Sequence, residues 1–177
     1  MVRVVGIDPG LANCGIAVAE ADANEITVRE AFVVSTESQS KKLRVHVSHD
    51  SIRRAKELAD VLASYIGNAD IVAMEGISLP RHASSAGKLC LSFGVIAALC
   101  EIRQVPLVQF SPQEVKKFFP NGKTKEPRVE WALLHHHDLM ARLPLTKREH
   151  AADAIGICYL ATRDDYFRLL VAALRLA

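Results

Sequence analysis

Three β-rich runs, residues 2–8, 14–20 and 26–34, occupy the first 34 positions, and only short polar or glycine-containing links join them. A parallel crossover needs about a dozen residues or more, so links this short require antiparallel neighbours. The period then changes. Ile52, Ala55, Ala59, Leu62 and Ile66 recur at helical spacing after an Asp50-Ser51 start signal. DIVAMEG (70–76) reads as a buried strand, ASSAGKLCLSFGVIAALCEI (83–102) as a long helix rich in small residues, and PLVQF (106–110) as a fifth strand. Helices are expected at about 112–119 and 127–141, with a basic loop between them. The stretch from 148 to the end reads as helical with one break near Asp164. The order β-β-β-α-β-α-β-α-α-α predicts an α/β fold: a mixed five-stranded sheet with helices on both faces. With 177 residues, half of them hydrophobic, and no linker or repeat, the chain is expected to form a single domain over 1–177. The polar segments 37–50 and 120–128 are expected to be its mobile parts.

The first strand ends in VVGIDPG (4–10), where Asp8 follows an apolar run. A buried carboxylate is costly unless something pairs with it. Asp-Pro-Gly is ordinary turn chemistry, so a turn cap is one reading of Asp8 and a metal ligand is the other. Glu75 ends the fourth strand in the same manner, before Gly76. His150 and Asp153 lie three apart in a helix and share a face, and Ala151 and Ala152 between them leave room for close approach to the sheet. If strands one and four are neighbours, Asp8 and Glu75 project side by side, with His150 and Asp153 across from them. Singly, Glu75 could cap a turn, His150 could sit on a helix surface, and Asp153 could pair with Arg148 or Arg163. Together they form a set that repels itself unless cations neutralise it. Oxygen ligands suit Mg²⁺ or Mn²⁺, and two such ions can activate water and stabilise the leaving oxygen of a phosphodiester. His150 can ligate an ion or manage the proton of the attacking water.

The net charge of +2 does not by itself announce a nucleic-acid binder. No apolar run is expected to reach the length of a membrane span, and no signal peptide is read at the N-terminus. Cys14, Cys90, Cys100 and Cys158 form no Cys-x-x-Cys pair and read as small buried hydrophobes in a reducing cytoplasm.

GIDPG (6–10) with Gly15 to Val18, the glutamate of VAMEG, HAADA (150–154) and the helix SSAGKLCLSFGVI (84–96) resemble, in order, the motifs of the RuvC-type Holliday-junction resolvases, an RNase H-like nuclease family. The resemblance runs over roughly 2–162. It implies an RNase H-like fold, a homodimer, and a divalent-metal endonuclease that nicks two opposed strands of a four-way DNA junction in recombination or repair. It also implies Asp8, Glu75, His150 and Asp153 as catalytic metal ligands for two ions, and allows a branch-migration partner. The chain departs from the family in two places. Gly76-Ile77-Ser78-Leu79-Pro80 has no aromatic residue after Glu75, and KTKEPR (123–128) is one residue longer than the family's lysine-bearing turn, where Lys125 is the best match.

Lys116, Lys117, Lys123, Lys125 and Arg128 form a local cationic excess suited to phosphate binding, with a solvated loop as the alternative. Arg81, His82 and Lys88 could line the same cleft, and Lys41, Lys42 and Arg44 form a weaker cluster. His135, His136 and His137 are consecutive, so on a helix they cannot share one ion. Helix 83–102 is the first candidate for a dimer interface; the second is the C-terminal segment with Phe167, Leu170, Val171 and Leu174. Competing functions are a broader flap, branched-DNA or RNA-processing nuclease, and an actin-like ATP binder. The latter needs a second lobe and a second phosphate loop, which are not found.

Overall fold

The computed structural model describes residues 1–22, 25–39, 46–78 and 82–174. Strands β1 (Val2–Asp8), β2 (Asn13–Ala21) and β3 (Ile26–Ser35) form the expected meander. Helix α1 (Val47–Gly67), β4 (Ile71–Glu75), α2 (Ala83–Arg103) and β5 (Leu107–Phe110) follow. Then come α3 (Pro112–Phe118), α4 (Lys125–His135), α5 (His137–Met140), a 3-10 turn at Leu145–Lys147, α6 (Arg148–Ala161) and α7 (Asp165–Leu174). The sheet order is β3-β2-β1-β4-β5. β1 pairs antiparallel with β2 and parallel with β4, and β4 pairs parallel with β5. The mixed five-stranded sheet with helices on both faces is thus realised.

Side-chain alternation along β1 assigns the two faces. Val5 and Ile7 pack with Leu58, Leu62 and Ile66 of α1 and with Ile96 and Cys100 of α2. Val2 and Val4 point to the other face, where Ala151, Ala152, Ala154, Ile155 and Cys158 of α6 and Phe167 and Val171 of α7 lie. Helix α6 comes unusually close to the sheet. A Cβ on Gly6 would fall 2.4 Å from the Ala154 carbonyl oxygen, and one on Gly15 would fall 2.0 Å from that of His150. Only glycine tolerates contacts this short.

Several local expectations are corrected. Asp50 does not start α1; it sits in the first turn, buried, accepting from Ser38 Oγ, the Gln39 N–H and Arg53. Ile52 is 50% exposed, because the buried stripe runs through Ser51, Ala55, Leu58, Leu62 and Ile66. The helix expected at 127–141 is two, broken at His136, whose N–H still donates to the Ala132 carbonyl. Of the cysteines, Cys90 is exposed and the other three are buried, all of them free. Phe167 and Val171 belong to the core and are not available to a partner. Helix α2, finally, is long and apolar enough to cross a membrane by length and composition, against expectation. Here it lies on the sheet through Ser92, Ile96 and Cys100 and exposes most of its surface.

Of the segment expected to be mobile at 120–128, the first half is a tight turn. Asn121 takes a left-handed φ of 54°, Gly122 is packed against the Lys116 carbonyl and Phe119, and α4 begins at Lys125. The segment 40–45, which carries Lys41, Lys42 and Arg44, lies outside the described residues.

Candidate active site

The site forms where the parallel strands end. β1 and β4 are in register through Ile7 and Met74, so the next residues, Asp8 and Glu75, leave the sheet together and on the same side. That side faces α6. This is also the point at which the sheet changes from antiparallel to parallel neighbours, a recurrent ligand position in α/β sheets. Asp8 and Glu75 share the wall of a cavity of about 60 Å³ with Pro9, Gly76, Ser78, Leu89 and Phe93.

The docking of α6 fixes the opposite wall. His150 Nδ1 lies 2.7 Å from Asp8 Oδ2. The ring's other nitrogen, Nε2, is 3.6 Å from Glu149 Oε1, and Glu149 in turn holds Lys125 Nζ at 2.7 Å. One turn on, Asp153 is buried and receives Nη1 of Arg128 on both carboxylate oxygens. A second tether joins the start of β2 to the start of α6: Asn13 Oδ1 accepts from both Ser35 Oγ and Lys147 Nζ. All four acidic and imidazole residues expected from the sequence are therefore brought to one place.

The electrostatics follow from crowding. Burial first, then the charges of Asp8 and Asp153, push the Glu75 carboxyl up to about 7. Burial and Asp8 likewise push Asp153 up to about 7, against the opposing pull of Arg128. His150 is raised above its ordinary value, chiefly by its hydrogen bond to Asp8. Among the described residues, no three His, Cys, Asp or Glu side chains converge closely enough in this arrangement to hold an ion. Asp8 is engaged by His150, and Asp153 by Arg128.

The cations sort into two groups. Lys116, Lys117 and Lys123 are exposed, and Lys116 is near enough to Glu75 to favour its charged form. Lys125 is exposed but paired with Glu149. Arg128 is not a surface residue as the sequence suggested: it is 8% exposed and spent on Asp153. Lys88 lines a cleft of about 270 Å³ beside the site with Gly10, Leu11, Asn13, Ser85 and His150. His82 is exposed; Arg81 lies outside the described residues. His135 stacks on Trp131, with ring centroids 4.4 Å apart, while His136 meets the Tyr159 hydroxyl, so the histidine run makes no common site. Sequence reasoning missed Glu149, Asn13, Ser35 and Lys147. Their signal is weak because each works through a partner distant in the chain.

The family model described as "Crossover junction endodeoxyribonuclease RuvC" matches residues 4–160. The crossover junction endodeoxyribonuclease RuvC of Thermomicrobium roseum is 30% identical, over 89% of this chain and 92% of that protein. The protein of that name from Granulibacter bethesdensis is 32% identical, over 97% of this chain and 94% of that protein. Among solved structures, Thermus thermophilus RuvC in complex with a Holliday junction superposes with a TM-score of 0.67 at 20% identity, covering 92% of this chain and 96% of that one. The fowlpox virus resolvase, also in complex with Holliday junction DNA, superposes with a TM-score of 0.59 at 14% identity, covering 91% and 97%. The chain belongs to the RuvC family.

Proposed function

We propose that this chain is a divalent-metal endonuclease that resolves four-way DNA junctions by paired nicks, acting as a homodimer. The observation that carries the reading is the placement of Asp8 and Glu75 at the carboxyl ends of adjacent parallel strands, beneath His150 and Asp153 on the helix packed over them. Three carboxylates and an imidazole, two of the carboxyls pushed up to about 7 by burial and then by the neighbouring negative charge, make a donor set of the right chemistry for a hard divalent cation. Asp8, Glu75, His150 and Asp153 would hold it, once the two internal pairs loosen. Mg²⁺ or Mn²⁺, two ions in this reading, supplies polarisation of the phosphodiester and a more acidic water.

The chain's own residues supply position and proton handling. His150, held to Asp8 through Nδ1 in the metal-free chain, is placed either to ligate an ion or, once that pair loosens, to take up a proton released at the reacting centre. Rigid strand ends hold Asp8 and Glu75 in register, which keeps the reacting geometry fixed between turnovers. Lys116, Lys117, Lys123 and Lys125 border the site from α3 and the start of α4 and suit contacts to the DNA backbone. Lys88 stands on the opposite rim. The dimer reading rests on α2, whose Gly87, Cys90, Gly94 and Ala98 form an exposed stripe of small side chains.

The test is nicking of a labelled synthetic four-way junction in Mg²⁺, with linear duplex and flap controls, beside Asp8→Asn. Symmetric paired nicks on the junction alone, lost in Asp8→Asn while junction binding persists, are expected. A second reading, a broader branched-DNA or RNA nuclease, is favoured by one observation: Gly76, Ile77 and Ser78 present no aromatic ring beside Glu75. Cleavage of flaps or RNA at comparable rates would select it. Any branch-migration partner would be sought by pull-down on junction DNA.

A further inference from the structure

Arg128 is the residue whose place the function above does not absorb. It stands in the first turn of α4, is 8% exposed, and directs Nη1 onto both oxygens of Asp153. Its Nε donates to the carbonyl of Thr124, 3.1 Å away, in the turn that carries Lys123 and Lys125. A buried guanidinium on a buried carboxylate is a mutual commitment: neither charge is tolerated there alone. Asp153 is also one of the four donors the proposed metal centre needs, and its oxygens cannot serve a guanidinium and a cation at once.

We infer that Arg128 is the resident counter-ion of Asp153, neutralising the carboxylate until a metal ion takes its place, so that metal loading and the Arg128–Asp153 pair are mutually exclusive. The inference rests on the metal-dependent reading above. It explains why a donor set of the right kind does not converge: the cation that Asp153 would give to the site is already supplied from within the chain. It also ties the lysine-bearing turn to the centre, because the side chain that releases Asp153 is the one that holds the Thr124 carbonyl. Arg128 is in this sense a positioning residue and not a catalytic one.

The experiment is Mn²⁺ titration by calorimetry on the full chain, without DNA, together with thermal unfolding in chelator and in excess Mn²⁺. The variants are Arg128→Met, Arg128→Lys, Lys123→Met and Asp8→Asn. Removing the competitor should tighten Mn²⁺ binding at least about fivefold in Arg128→Met, in the range typical of a coupling between two ligands of one site. Lys123→Met removes one charge from the same segment without touching Asp153, and should change affinity by less than about twofold because exposed charges are well screened. Arg128→Met should also unfold at a lower temperature in chelator and recover more than wild type on adding Mn²⁺. Arg128→Lys, which keeps the charge but loses the fork and so guards against a misfolded Met variant, should fall between the two. If wild type binds Mn²⁺ and Asp8→Asn does not, yet neither Arg128 variant binds more tightly, the counter-ion role is overturned and the metal reading stands. If wild type binds no better than Asp8→Asn, both are overturned.

Discussion

Glu75 is destabilising by design. In the metal-free protein its folded-state carboxyl, at about 7, lies above the ordinary 4.5, so the folded chain binds a proton more tightly than the unfolded chain. Stability therefore falls as pH rises from about 4.5 to 7 and is flat beyond. A shift of this size is worth at most about 3 kcal/mol, and solvent access to a half-buried group cuts that to about 1–2 kcal/mol. In chelator at pH 8, Glu75→Gln should exceed wild type in urea-unfolding stability by that amount, and the gain should vanish near pH 4.5; nicking should be lost. His150 moves stability in the same direction, but its raised value comes from a favourable pair and not from burial. Its raised value means that the stability from the Asp8 pair is fully present below pH 6.5 and is lost as pH climbs through the folded-state value. An NMR titration of His150 should give a midpoint above 6.5 that falls in Asp8→Asn. These residues were legible in the sequence because each closes an apolar run or shares a helical face with another. Arg128 was legible only as a charge. Its burial follows from how α4 packs on α6, and its partner lies 25 residues away.

Helix α6 is the element on which the site depends, and two glycines of the sheet set its height. A methyl group on Gly15 would strike the backbone at His150, and one on Gly6 would strike the backbone at Ala154 and the sulfur of Cys158. Forcing such overlaps costs about 1–3 kcal/mol. Gly15→Ala, which lifts the helix at the end that carries the proposed ligand His150, should lose far more nicking rate than Gly6→Ala at equal loss of thermal midpoint, as paired melting and kinetic measurements would show. Helix α3 offers a milder case. Ser111 and Glu114 form a reciprocal capping box at the start of the helix that bears Lys116 and Lys117. Ser111→Ala should cost about 1 kcal/mol and weaken DNA binding without altering the metal requirement. The small residues Ala151 and Ala152 betrayed the close approach of α6 in the sequence. The break at His136 gave no such sign: Trp131, His135 and Tyr159 form the aromatic cluster around it only once α4 and α6 have met.

For the molecule as a whole, the order of strands and helices was readable from period and link length, since antiparallel links are short and crossovers long. Less readable was what α2 would leave uncovered. A side chain at Gly94 would meet nothing within 4 Å in the single chain. Gly94→Arg should therefore leave the folded monomer intact while dissociating the proposed dimer in sedimentation velocity, with the loss of paired but not of single nicks. Helix α2 also supplies Ser85, Lys88 and Leu89 to the cleft beside Asp8. One rigid rod thus borders the proposed cutting centre near its first turns and meets the proposed partner a little further along. The six helical steps from Lys88 to Gly94 span about 9 Å. With a two-fold axis across that stripe, the helix would become a ruler: the distance between the two nicks would be set in helical turns, and inserting one turn between Leu89 and Gly94 should shift the nicks relative to the crossover or uncouple them from each other.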